Sequence, residues 1–155
     1  MKNLIGLNAE KSKDLAGKLN VLLANYQIYY QNLRGFHWNI KGPGFFELHI
    51  KFEELYNQAL LSVDEIAERI LTLGHTPLHS FTAYVKSATI KEEINVSGSE
   101  ATVSATVQNL QQLLSIERDV MDAAAAAHDE GTLTLFSDYI AAQEKTLWML
   151  SSYLK

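Results

Sequence analysis

The sequence has 155 residues, 47% of them hydrophobic, with 13 Lys and Arg against 18 Asp and Glu. That length predicts one domain, residues 1–155, with a sizeable core. Having no cysteine excludes a disulfide scaffold, a thiolate metal site and a cysteine nucleophile. A formal charge of −5 argues against a free-standing nucleic-acid binder. Met1 to Leu7 lacks the apolar run of a secretory signal, and no stretch reaches the roughly 18 uncharged apolar residues of a membrane span. The expectation is a soluble cytoplasmic protein with no membrane partner.

Four long segments carry helical periodicity. The first runs from about Ser12 to Phe36, with Leu15, Leu19, Leu22, Leu23, Tyr26, Tyr30 and Leu33 at three- and four-residue steps. It ends near Asn39, ahead of Gly42-Pro43-Gly44. The second runs from Phe45 to Leu73, with Leu48, Phe52, Leu55, Ala59, Val63, Ile66 and Ile70 on its apolar face. Gly74 and Pro77 stop it. His75 to Gly98 has no long period, and Phe81, Tyr84 and Val85 suggest a short packed helix inside a long connection.

Ser97-Gly98-Ser99-Glu100 reads as a capping box for the third helix, which runs to about His128. After the turn Asp129 to Thr132, the fourth helix runs to Tyr153, with Leu135, Tyr139, Ile140, Leu147 and Leu150 inside. No run alternates as a strand does. The fold class is therefore all-α: a four-helix bundle of ferritin-like connectivity, with a short extra helix between the second and third helices. The run Ala123 to Ala127 reads as close helix packing.

His49 and Glu53 are four residues apart on the second helix and share a face, as do Asp64 and Glu68. A histidine with carboxylates at that spacing is a ligand set for a borderline or hard metal such as iron. His37, just before the Gly-Pro-Gly turn, can fold back beside His49. Asp64, however, lies 15 residues beyond His49, which is roughly 22 Å along a helix. The two sets cannot hold one ion within a subunit. They can do so if two copies of the helix lie antiparallel across a two-fold axis. The plainer reading is that Asp64 and Glu68 are a solvated face paired with Arg69 or Lys51.

The segment Asn32-Leu33-Arg34-Gly35-Phe36-His37-Trp38-Asn39, then Gly42, Phe45, Leu48-His49, Phe52, Asp64-Glu65-Ile66-Ala67-Glu68-Arg69 and Leu73-Gly74-His75-Thr76-Pro77, resembles the signature of the Dps family (DNA-binding proteins from starved cells, or mini-ferritins). The ending Trp148 to Leu154 also resembles that family's last helix. The resemblance implies a hollow dodecamer that oxidises ferrous iron and stores the ferric mineral. Two iron ions per centre would be held at two-fold interfaces, by His37, His49 and Glu53 from one subunit and Asp64 and Glu68 from the other. Position 53 is aspartate in many relatives. Trp38 matches the tryptophan thought to intercept oxidising radicals. Family members typically prefer hydrogen peroxide over dioxygen.

By the same resemblance, Asp129 and Asp138 correspond to positions lining acidic three-fold pores that admit ferrous ions; Thr134 stands where some relatives carry a further acid. The plainer reading is an exposed acidic turn. Arg34, Arg69 and Arg118 are expected to be interhelix or intersubunit ion-pair partners, and His75, His79 and His128 surface or hydrogen-bonding groups.

Three other classes stand beside the ferroxidase. A ferritin with a di-iron site inside each bundle needs Glu-x-x-His on two helices, and the chain has none. A helical interaction module would bind no metal. A DNA-compacting nucleoid protein commonly uses a lysine-rich tail, whereas about eight residues precede the first helical pattern, with Lys2 their sole cation. Lys2, Lys11, Lys13 and Lys18 form at most a local basic patch. The expected protection of DNA is chemical, with weak or absent DNA binding.

Overall fold

The computed structural model describes all residues, 1–155, and contains five helices and no strand. Helix α1 spans Ala9–Asn39, α2 Phe45–Thr72, α3 Phe81–Ser87, α4 Ser99–Ala127 and α5 Glu130–Tyr153. Each long helix turns one apolar stripe inward, and together the stripes form a single core around Leu15, Leu22, Phe36, Phe52, Ile66, Leu110 and Phe136. Each such side chain, once removed from water, contributes about 1.5–3 kcal/mol.

Neighbouring contacts set the directions. Residues Ile40 to Gly44 reverse the chain between α1 and α2, with Gly42 and Gly44 at φ +90° and +76°, values that favour glycine. The backbone N–H of Lys41 donates to the Ser97 carbonyl (2.9 Å), so α4 begins at this same end of the bundle. At the other end, the Lys11 ammonium donates to the Ala126 carbonyl (2.6 Å). Helix α4 therefore runs antiparallel to α1 and parallel to α2, and α5 returns antiparallel to α4.

The parallel pair α2 and α4 demands a connection along the whole bundle. Three asparagines on α1 fix it. Asn20 accepts from Leu78 N–H and donates to the Thr76 carbonyl; Asn25 accepts from the N–H groups of Thr89 and Ile90; Asn32 donates to Lys91 O and accepts from Glu93 N–H. These bonds give an irregular strap the backbone partners that a helix or sheet would supply. The short helix α3 lies in this strap, with Tyr84 half-buried and its hydroxyl donating to the Leu78 carbonyl (2.9 Å).

Three helix starts differ from the sequence expectation. Helix α1 begins three residues before Ser12, at Ala9, because the Asn8 side chain accepts from the N–H groups of Glu10 and Lys11. The capping box at Ser97 does not form. Gly98 is the cap residue and offers no side-chain bond; the Ser97 carbonyl is held by Lys41, and the Ser99 hydroxyl donates to the Pro43 carbonyl. The turn before α5 is only His128 and Asp129, since Asp129 caps α5 by accepting from Thr132 N–H (3.1 Å). Residues 1–8 are not extended: Met1, Asn3 and Leu7 close a tight loop onto α1, and the Asn3 amide reaches Ser12 and the Leu73 carbonyl. No helix is long and apolar enough to cross a membrane.

Candidate metal centre

His37 lies in the last turn of α1 and His49 in the second turn of α2, on either side of the Ile40–Gly44 reversal. That reversal stacks the two imidazoles, with centroids 3.9 Å apart and planes within 16°. His37 Nδ1 donates to the His49 carbonyl at 2.7 Å, and His49 Nδ1 donates to the His37 carbonyl at 2.8 Å. A carbonyl oxygen only accepts, so each Nδ1 bears a hydrogen, and in the neutral ring that tautomer leaves the Nε2 lone pair for a ligand. This reciprocal bonding is how metal-ligating histidines are commonly oriented. Phe45 stacks on the outer face of His49 (5.2 Å), and Tyr56 meets His37 edge-on (5.3 Å). The pair is clamped before any ligand arrives.

Glu53 stands one turn beyond His49, exposed on α2. Asp64 and Glu68 are also exposed, and neither forms an ion pair within the chain. Lys51 pairs instead with Glu54 (2.5 Å) and Arg69 with Asp129 (2.5 Å), so the surface-pair reading of Asp64 and Glu68 is not realised. Helix α2 is continuous from Phe45 to Thr72, so the roughly 22 Å between positions 49 and 64 stands. No three or more His, Asp or Glu side chains of one chain converge on a common point. Beside these groups α2 exposes Phe46 (77%), Ile50 and Leu61 (67%). This outer face, which is apolar and also carries His49, Glu53, Asp64 and Glu68, has no partner within the chain.

Trp38 is exposed, and the Arg34 guanidinium stands 4.7 Å over its ring and 5.2 Å over Tyr30. Arg34 thus brackets two aromatic rings and forms no interhelix ion pair within its own chain. Arg69 and Arg118 behave as expected, the latter pairing with Glu144 (2.6 Å).

Asp129 and Asp138 occupy different settings. Asp138 is exposed on α5, at the rim of a cleft of about 290 Å³ between α2 and α5. Asp129 is buried at the α5 N-terminus, where its oxygens accept from Arg69 and from the Thr132 hydroxyl (2.6 Å), while Arg69 Nε also donates to that hydroxyl (2.8 Å). Burial pushes the Asp129 carboxyl up, but the bonds from Arg69 and Thr132 outweigh it and hold its pKa below the usual aspartate value. Its charge is balanced inside the subunit.

Sequence reasoning missed a second polar group. Glu117 of α4 is fully buried, and its Oε1 accepts from the Tyr26 hydroxyl (2.7 Å) and the Gln143 amide (2.7 Å), while Oε2 has no partner. Burial raises its pKa to about 7, against the opposing effect of those two bonds and the Arg118 charge. Burial and the adjacent Glu117 raise Tyr26 well above the phenol range. A signal existed: Leu110, Leu113, Leu114, Glu117, Val120 and Ala124 form one buried stripe in which Glu117 is the sole ionisable member.

A two-layer bundle with a strap along its length and carboxylate and imidazole groups on α2 defines a ferritin-like protein, and the family model described as "Ferritin-like domain" matches residues 16–155. The chain is 51% identical to the solved Dps protein of Vibrio cholerae O1, covering 99% of this chain and 97% of that one, with a TM-score of 0.97. That protein is described as a member of a broad superfamily of ferritin-like diiron-carboxylate proteins. The solved Dps protein of Bacillus brevis matches with 35% identity over all of both chains and a TM-score of 0.92. The DNA protection during starvation protein of Porphyromonas gingivalis is 41% identical, over 96% of this chain and 93% of its own. The chain belongs to the Dps family of the ferritin-like superfamily.

Proposed function

We propose that this protein is a ferroxidase and iron store whose centre is completed only between two subunits. Two copies of α2 lie antiparallel about a two-fold axis, so that residue 49 of one faces residue 64 of the other. His37, His49 and Glu53 then join Asp64 and Glu68 of the partner subunit around two ferrous ions, which are the substrate. The observation that carries this reading is the pair of half-sets on one continuous helix. One holds two histidines with their Nε2 lone pairs free; the other holds two carboxylates without an ion-pair partner. The apolar face beside them supplies the contact that brings the halves together.

Two ferrous ions give two electrons, which with two protons convert one hydrogen peroxide to two waters and release no hydroxyl radical. Dioxygen is the alternative oxidant. Trp38, exposed beside His37, is the interceptor of stray oxidising radicals. Twelve subunits enclose the ferric product, and Asp138, the exposed member of the acidic pair, lines the ferrous entrance, with Asp129 fixing the start of α5 behind it. Protection of DNA follows chemically, by consuming ferrous iron and peroxide together. Compaction of DNA is disfavoured by the −5 charge on each copy and by the folding of residues 1–8 onto α1.

The test is ferrous oxidation followed by absorbance in the wild type and in the double variant Asp64→Ala, Glu68→Ala. The wild type should oxidise ferrous iron rapidly and the variant only at the rate of buffer, with helix content unchanged. Equal rates would remove these carboxylates from the centre. Light scattering should give a mass near twelve times 17.4 kDa; a monomer that still mineralises iron would contradict the closed shell.

A further inference from the structure

The proposed ligands leave a line of tyrosines unexplained. From His37 the rings run on through two half-buried tyrosines: Tyr56 edge-on at 5.3 Å, then Tyr30 edge-on to Tyr56 at 6.1 Å. Tyr26 lies one helical turn before Tyr30 on the same face of α1. Its ring is in turn edge-on to Tyr29 at 6.3 Å. Tyr139 is edge-on to Tyr26 at the same distance and donates to Glu65, but Glu65 is exposed and Tyr139 only half-buried. Tyr26 alone holds a carboxylate in a pair that is wholly buried, its hydroxyl donating to Glu117 Oε1 at 2.7 Å.

That difference decides where an oxidising equivalent would rest. A phenol that loses an electron becomes a strong acid and must lose its proton at once. Arg34, whose guanidinium stands over both Tyr30 and Trp38, opposes positive charge on either ring. At Tyr26 the proton has an acceptor already in place, and the product is a neutral radical shielded from solvent.

We propose that Tyr26 and Glu117 form a buried proton-coupled electron donor, joined to His37 through Tyr30 and Tyr56, that supplies one electron when hydrogen peroxide meets a centre holding a single ferrous ion. This rests on the ferroxidase reading above. Reduction of one peroxide to two waters takes two electrons and two protons. The ferrous ion gives one electron and becomes ferric; Tyr26 gives the other. The Tyr26 O–H bond breaks, its proton passes to Glu117 Oε1, and the two protons that complete the waters come from solvent. A half-loaded centre therefore releases no hydroxyl radical.

The experiment loads the assembled protein with one ferrous ion per centre at about pH 8, adds hydrogen peroxide, and freezes it rapidly for electron paramagnetic resonance. Ferrous loss is measured on the same samples. The wild type should show a tyrosyl radical; the signal should vanish in Tyr26→Phe and in Tyr56→Phe, and fall in Glu117→Gln, which cannot take the proton. Ferrous loss without a tyrosyl signal, or a signal that survives unchanged in Tyr26→Phe, would overturn the relay and leave the ferroxidase standing. No ferrous loss in the wild type would overturn both. Should Tyr26→Phe fail to assemble, the half-buried Tyr56→Phe decides alone, and its keeping the full signal would overturn the relay.

Discussion

Glu117→Gln is expected to stabilise the protein in a pH-dependent way. In the folded chain the carboxyl has a pKa of about 7, raised by burial from 4.5, and in the unfolded chain it returns to the lower value. Between those values the folded state holds a proton that the unfolded state has released. Stability from this group is therefore fully present below the unfolded pKa and is lost as pH rises toward 7. At about 1.36 kcal/mol per pKa unit, the wild type loses about 2.5 kcal/mol between about pH 5 and pH 8 relative to a variant that cannot ionise there. Glutamine keeps an oxygen to accept from Tyr26 and Gln143, so the packing is preserved. Urea denaturation of both proteins at the two pH values, followed by tryptophan fluorescence, gives the difference directly. The variant's advantage should grow with pH by roughly the stated amount. Parallel stability profiles would refute the buried, proton-holding assignment.

Two further predictions concern other sites. Arg69→Ala leaves the buried Asp129 carboxylate without its cation and removes the bond to Thr132, so it should destabilise the subunit by about 3 kcal/mol; a change below about 1 kcal/mol in the same denaturation assay would show the pair to be incidental. The purified shell should fail to retard DNA at physiological salt yet suppress strand nicking by iron and peroxide, because the subunit is acidic and its first eight residues are folded down. Tight retardation at that salt would refute the electrostatic argument, and unabated nicking would refute the chemical one.

The periodic apolar positions placed α1 and α2 with their buried faces, since most of the residues named for them are buried. In α5 only Leu150 of the residues expected inside is fully buried; Leu135, Tyr139, Ile140 and Leu147 are half-buried, and Phe136 is the core residue the pattern did not single out. Helix ends were less legible where tertiary contacts decide them. Ser97 has the sequence of a cap, but its carbonyl is taken by Lys41, and the helix starts at Ser99 beside Pro43. The ligand spacing on α2 could be read directly, because a continuous helix converts residue number into distance. The reciprocal His37–His49 bonds could not, because they depend on the geometry of a five-residue reversal. Asp129 read as an exposed acid because turns are normally exposed; Arg69, 60 residues away in sequence, buries and neutralises it. Glu117 was visible as a polar interruption of an apolar stripe, but its partner Tyr26 lies 91 residues distant.

Complementation between two inactive variants tests the intersubunit centre most directly. One variant carries His37→Ala and His49→Ala; the other carries Asp64→Ala and Glu68→Ala. Each alone should lack rapid ferrous oxidation, since every centre in its shell misses one half. A mixed dimer has one centre with both halves destroyed and one with both intact. Shells dissociated, mixed in equal amounts and reassembled should therefore recover about a quarter of the wild-type centres. Recovery near that fraction is the predicted result. Reassembled mixed shells as inactive as their parents would contradict a centre shared between subunits.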